Sequence, residues 1–256
     1  MKKFLFLSLI IFLQIKFIIP NKNDFQLKCE NKLVFQSADL SLLNCMVGKE
    51  ATQNILNKDW DELRKGKLIE AAVIFCDICS FTETSEKIGS KNVLALLNSY
   101  FNEMVEIVNK HKGIVNKFLG DGLMIVFEFD EKQSKEEFMN NIIQCAIQMC
   151  EIATIVKIPD GKSVLNRCGI NFGKVIAGVV GSVDRFEYSY VGDAVNIASR
   201  LEGLAKDLKH RILISKSICD FLSVDLKNKF TDLGMHQLRG KKVDVHLFGM
   251  NLANSA

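Results

Sequence analysis

The sequence predicts an α+β domain in which helices pack on a largely antiparallel sheet, and three features of the chain predict it. Short apolar, partly β-branched runs recur from Ile69 to Gly249, two long segments repeat apolar residues at helical spacing, and tight glycine-containing turns join several neighbouring runs. Hairpins intermixed with helices favour antiparallel pairing over the crossovers of a parallel sheet.

In chain order, Asn54–Lys65 carries Ile55, Leu56, Trp60 and Leu63 at a spacing that suits a helix leading into the domain. Ile69–Cys76 is an unbroken apolar run, hence a buried strand. Asn92–Lys112 sets Val93, Leu96, Leu97, Tyr100, Met104, Val105 and Val108 on one stripe, a helix stopped at Gly113. Ile114–Phe118 and Leu123–Phe129 read as a hairpin around Leu119-Gly-Asp-Gly122. Glu136–Ile155 is a second long helix with Phe138, Ile142, Ile143, Ala146 and Met149 inward. Cys168–Phe172 and Val175–Val180 are expected as two strands around a Gly173-Lys174 turn, followed by a strand at Phe186–Val191 and a helix at Ala194–Ala205. A strand at Ile212–Ile214, a short helix at Ser217–Leu222 and strands at Lys229–Leu233 and Val243–Gly249 complete the pattern.

The composition excludes several classes. The chain has 256 residues, 48% hydrophobic and 25% charged, close to the globular average and far from a disordered or repetitive chain. Its net charge of +3 comes from Lys and Arg spread along the sequence, which gives no footprint for a nucleic-acid partner. The eight Cys are scattered and several lie in apolar runs, so reduced core thiols are expected. Cys76-Asp-Ile-Cys79 has zinc-like or redox spacing, but no second such pair completes four ligands.

The N-terminus is ambiguous in its own terms. Met1-Lys-Lys followed by the apolar run Phe4–Leu13 resembles a signal peptide, yet Gln14 and Lys16 interrupt it. The run falls short of the ~20 residues that a spanning helix needs. A signal or anchor, the end of a span from a longer architecture, and a misplaced start codon all fit. The expected organisation is a hydrophobic segment at 1–20, a connector and helix at 21–66, the main globular domain at 67–250 and a tail at 251–256.

Two acids stand where structural acids are rare. Asp77 ends a buried strand and Asp121 sits at the tip of an apolar hairpin. A helix N-cap and an Asx turn would explain them singly. Together, two carboxylates at adjacent sheet ends are what a pair of divalent cations requires, hard oxygen ligands on rigid elements. The backbone N–H groups of Ile78–Phe81 come next, in position to cradle phosphate oxygens. Further on, Asn196 and Arg200 are one helical turn apart and project from one face. A structural Arg200 would pair with Glu202 or Asp193; a functional one would offer its fork to phosphoryl oxygens.

The segments Val73–Thr82, Val115–Phe127, Gly169–Gly181 and Tyr188–Glu202 together resemble, in order and spacing, the catalytic domain of class III nucleotidyl cyclases over roughly Leu68–Phe248. The resemblance implies a ferredoxin-like palm that works as a head-to-tail homodimer with active sites across the interface. It assigns Asp77 and Asp121 to two divalent cations, Mg²⁺ or Mn²⁺. Lys117 and Ser189 take the base-recognising positions. Phe81, Thr82 and Lys241 are substrate contacts, and Asn196 and Arg200 are the catalytic pair supplied by the partner subunit. The implied reaction is attack of the ribose 3′-OH of ATP on the α-phosphate, giving cyclic AMP and pyrophosphate.

Lys117 has only donors and suits adenine N1, whereas guanine asks for an acceptor there. Ser189 departs from the family's usual Asp or Thr, although its hydroxyl can accept from N6–H. A guanylate cyclase and a catalytically silent nucleotide-binding module are the rival readings; the silent one would lose an Asp or the Asn196/Arg200 pair, and neither is missing. A P-loop fails at Gly169-x-x-x-Gly-Lys-Val175, one residue short and with Val in place of the metal-binding hydroxyl.

An ATP substrate implies a cytoplasmic catalytic domain. Lys2 and Lys3 before an apolar segment would instead send the downstream chain outward. A truncated or mis-started chain missing an N-terminal sensor, or a short helix giving membrane association, reconciles the two.

Overall fold

The computed structural model describes residues 44, 52–54, 56, 60–182, 185–240 and 243–252. The chain divides into two units, Met1–Lys65 and Gly66–Ala256. The first contributes one element to this description, helix α1 (Trp60–Lys65), the end of the helix expected at Asn54–Lys65. The apolar segment 1–20 lies outside the described residues; among those described, no helix is long and apolar enough to cross a membrane.

The second unit is an α+β domain built on one eight-stranded sheet. Its elements run β1 (Lys67–Ile78), α2 (Phe81–Ile88), α3 (Ser90–Lys110), β2 (Ile114–Leu119), β3 (Gly122–Glu128), α4 (Lys135–Ala153), β4 (Asn166–Gly181) and β5 (Phe186–Val191). After these come α5 (Asp193–Asp207), β6 (Ile212–Ser215), α6 (Lys216–Cys219), α7 (Val224–Lys227), β7 (Thr231–His236) and β8 (Val245–Met250). The strand order is β2-β3-β1-β4-β6-β8-β7, with β5 paired to β4 off this path. All pairings are antiparallel except β4 with β6, as the hairpin-rich sequence implies.

Strand alternation sorts β1 onto two faces. Ala72, Ile74, Cys76 and Ile78 enter the large core with Tyr100 and Met104 of α3 and Ile142, Ile143 and Met149 of α4. Ala71 and Val73 face the other way, into a core with Ala194 and Ala198 of α5 and Tyr190 of β5. The same alternation carries Asp77 to the α5 side. All six cysteines for which a state is described are free, five of them buried, as expected of core thiols.

Three expectations are corrected. Gly173-Lys174 makes no turn: β4 runs unbroken for 16 residues. A Cβ at Gly173 would stand 3.1 Å from the Cβ of Ala194, so this glycine admits a helix rather than reversing the chain. Asp77 is not an N-cap either; it lies within β1, and Ser80, in the left-handed region at φ 54°, precedes α2. The helix after Gly89 ends at Lys110, ahead of Gly113, because Lys112 turns the chain at φ 62°.

The crossing of α5 over β4 is the closest approach that positions the site. A Cβ on Gly169 would lie 2.1 Å from Glu202 N and 2.5 Å from Ala198 O, backbone atoms that cannot yield. Gly169→Ala is therefore expected to cost about 3 kcal/mol or more through overpacking. Chemical denaturation measures this directly, and a change below about 1 kcal/mol would contradict so close a crossing.

Candidate active site

Asp77 and Asp121 meet. Asp77 comes up from the end of β1, and Asp121 occupies the turn between β2 and β3. Gly122 lets the hairpin tip close on the strand, since a Cβ there would lie 2.8 Å from Asp77 Oδ1 and 3.1 Å from Cys76 O. The two carboxyl groups lie close enough for Asp121 to act on the ionisation of Asp77. Partial burial, then the nearby charges of Asp121 and Glu202, push the Asp77 carboxyl from its ordinary 3.8 to about 7, against the opposing pull of Arg167.

Arg167 and Glu202 complete the group. Arg167 stands opposite Asp77 in the β1–β4 register. Its Nε lies 4.0 Å from Glu202 Oε1, and its Nη1 donates to Cys79 Sγ at 3.1 Å. Burial raises the Glu202 carboxyl as well, with Arg167 opposing. Sequence reasoning offers Glu202 only as a partner for Arg200 and passes over Arg167. Both acquire meaning from the crossing at Gly169, which sets α5 against this end of the sheet.

The donor set fits hard cations. Two carboxylates held against each other repel when both are ionised, and a divalent ion relieves that repulsion. Among the described residues no cluster of three or more His, Cys, Asp or Glu converges, so the acids leave coordination positions for backbone, water or nucleotide phosphate. Phe81 and Thr82 open α2 immediately beyond. Of the amides expected to cradle phosphate, that of Cys79 is bonded to Leu165 O at 2.7 Å, which leaves the first turn of α2 for that task.

Lys117 and Ser189 lie on neighbouring elements. The Asn116 side chain donates to Tyr188 O at 3.0 Å and ties β2 to β5. Lys117 pairs with Glu187 of β5, a residue that sequence reasoning did not single out. Ser189 is buried within β5. Tyr190 is core, with its hydroxyl donating to Glu128 at 2.7 Å.

Asn196 and Arg200 stand apart from these acids. Both are on α5, but Arg200 precedes Glu202 by two residues, or about 200° around a helix. With Glu202 turned to Arg167, Arg200 has no carboxylate partner among the described residues, and its Nη1 is buried with no hydrogen-bond partner. Its Nη2 lies near Gly240, where a Cβ would be 3.6 Å away. Lys241 of the same turn lies outside the described residues. A larger cavity of about 420 Å³, beside Lys174 and Ser217, is lined by none of these site residues.

Comparison with known proteins gives the family and the fold. Residues 64–250 match the family model of the adenylate and guanylate cyclase catalytic domain. The terminal-differentiation-specific adenylate cyclase of Dictyostelium discoideum is 32% identical over 196 residues, 70% of this chain but 9% of its own length. Adenylate cyclase 1 of Rhizobium meliloti is 29% identical, covering 70% of this chain and 27% of its own. The chain thus spans a small part of these longer relatives.

Among solved structures, the adenylyl cyclase CyaB from P. aeruginosa superimposes with a TM-score of 0.62 at 28% identity, covering 74% of this chain and 98% of that one. The GTP-bound guanylate cyclase domain of RhGC from Catenaria anguillulae gives 0.60 at 27% identity, covering 71% and 96%. Fold, paired acids and family match converge: this chain belongs to the class III adenylate and guanylate cyclase catalytic domains.

Proposed function

We propose that the domain is an adenylate cyclase that converts ATP to 3′,5′-cyclic AMP and pyrophosphate at sites shared between two copies of the chain. The meeting of Asp77 and Asp121 carries this reading. Together they would hold Mg²⁺ or Mn²⁺, which when bound lower the pKa of the ribose 3′-OH and neutralise phosphate charge. Arg167 and the amides at the start of α2 face the same region and would bind the triphosphate. Arg200, with its buried unpartnered nitrogen, would stabilise charge developing on the α-phosphoryl oxygens, and Asn196 would orient the ribose.

Arg200 serves that role in trans. It lies on the far side of α5 from its own Asp77, so a second protomer must bring the two groups to one nucleotide. The exposed apolar residues Phe118 and Leu119 at the β2–β3 tip, and Ile176, Val180, Phe186 and Val191 on the β4–β5 arm, suit such an interface. One chain carries every role, so a homodimer has two complete sites.

Base choice rests on Lys117, whose ammonium would donate to adenine N1 while the Ser189 hydroxyl or the Glu187 carboxylate accepts from N6–H. A second reading, GTP, is favoured by one observation: the Glu187 carboxylate at the Lys117 ammonium is the acceptor that guanine N1–H and N2–H would need. Turnover of ATP and of GTP by purified protein with Mg²⁺ or Mn²⁺, read as cyclic product, tests both. ATP is expected to lead by at least about 10-fold in kcat/KM. A preference for GTP would overturn the assignment to ATP, and no cyclic product from either would overturn the enzyme.

A further inference from the structure

Sharing Arg167 with the group around Asp77 is a concavity whose charged lining is all basic, completed by Cys79, Ala205 and Asn251. Cys79, Arg167, Lys206, Lys209, His210 and Arg211 border a cavity of about 230 Å³, and no Asp or Glu is among the residues lining it. In a chain with 33 basic and 30 acidic side chains, that segregation of sign needs a cause. The last turn of a helix favours basic residues on its own account, which covers Lys206 at the end of α5. It does not cover Arg167, which comes from β4, or Arg211, which precedes β6.

Arg211 is the more telling. It is only 6% exposed. Its Nε donates to Asn166 O, and its Nη2 donates to Cys150 O at 3.3 Å and Asn166 Oδ1 at 3.1 Å. These acceptors are all neutral, and among the described residues no carboxylate pairs with the guanidinium. Its hydrogen bonds fix it in place and leave its charge uncompensated, an arrangement that an anion entering the cavity would relieve. Arg167 also lines the cavity; its buried Nε makes no hydrogen bond and lies 4.0 Å from Glu202 Oε1, so its charge is shared with the catalytic group. The exposed Lys206 and Lys209 add mobile ammonium groups at the rim. Two rigid guanidinium planes and two flexible ammoniums form a receptor for an inorganic polyanion, whose oxygens can take forks and point charges together.

We infer that this cavity is the exit site for inorganic pyrophosphate, which passes to it from the catalytic acids with Arg167 as the residue common to both. The identity of the anion rests on the cyclase reading; the existence of the site does not. Cleavage at the α-phosphate would release a diphosphate beside Asp77, which Arg167 faces in the β1–β4 register. Lys206 and Lys209 would draw that diphosphate away from the acids, to the far side of the guanidinium.

The test is calorimetric titration of the full chain with sodium pyrophosphate in EDTA, where the acids have no divalent ion through which to hold phosphate. One binding event per chain is expected, weakened at least about 10-fold in Lys206→Ala/Lys209→Ala and reduced by added salt. Orthophosphate, with fewer charges and oxygens, is expected to bind more weakly. Absence of binding, equal affinity in the double variant, or orthophosphate binding as tightly would each overturn the proposal. Both lysines are exposed and outside the catalytic group, so the variant should retain wild-type initial rates without added pyrophosphate while resisting inhibition by it. Pyrophosphate binding without any cyclic product would sink the reaction and leave the cavity; product without binding would do the reverse.

Discussion

Replacing Asp77 by Asn is expected to abolish cyclic nucleotide formation, by about 10³-fold or more, while making the metal-free protein more stable at pH 8. Proton linkage gives the sign. The folded protein holds the Asp77 proton up to about 7, far above the ordinary 3.8, so the fold favours the neutral acid. The stability linked to that proton is fully present below about pH 4 and is lost as pH rises through about 7, where the carboxylate ionises beside Asp121 and Glu202. An amide cannot ionise and keeps a donor for Asp121, so the variant escapes the penalty. Solvent screening at this half-buried position reduces the gain to about 1–2 kcal/mol, or roughly 3–6 °C in Tm. Thermal melts in EDTA at pH 5 and pH 8 separate the effects: the advantage of Asp77→Asn should grow with pH. A variant less stable than wild type at pH 8 would mean that the two acids do not repel.

Mixing two inactive proteins should restore activity. Asp77→Ala removes a proposed metal ligand and Arg200→Ala the proposed catalytic guanidinium, and each is expected to lower turnover by about 10²-fold or more. Their positions on opposite sides of α5 mean that a mixed dimer has one site with both defects and one with neither. At equal amounts and full exchange, half the dimers are mixed and half of their sites intact, so activity returns to about a quarter of wild type. Differently tagged copies establish that mixing has occurred. Flat activity despite demonstrated mixed dimers would place Asp77 and Arg200 in the same protomer's site.

The aspartates were legible because their chemistry conflicts with their surroundings. A carboxylate ending an apolar strand and another at an apolar hairpin tip have few structural uses, and the structure brings the two side by side. Arg167 and Glu202 were not legible in that way. A charged residue in a half-buried strand and another on an amphipathic helix have ordinary explanations, and only the tertiary crossing at Gly169 joins them. The same crossing explains the misread turn: Gly173 looks like a chain reversal in one dimension and is a helix seat in three. Helix α2 escaped notice because its 8 residues bury none of their side chains, so it leaves little apolar periodicity to read. The Lys117–Glu187 pair joins residues 70 positions apart on β2 and β5, and no local pattern announces it.

Helix α5 turns one flank, with Glu202, toward Asp77 and Asp121 and the opposite flank, with Arg200, away from them, where the proposed second copy would present its nucleotide. A stiff rod seated backbone to backbone on Gly169 cannot tilt at one flank alone. In the proposed dimer, occupancy of one pocket would bias the geometry of the other, and thermodynamic reciprocity would make the influence mutual. A dimer built this way would respond to substrate with a Hill coefficient different from one, its two halves communicating through a single shared lever.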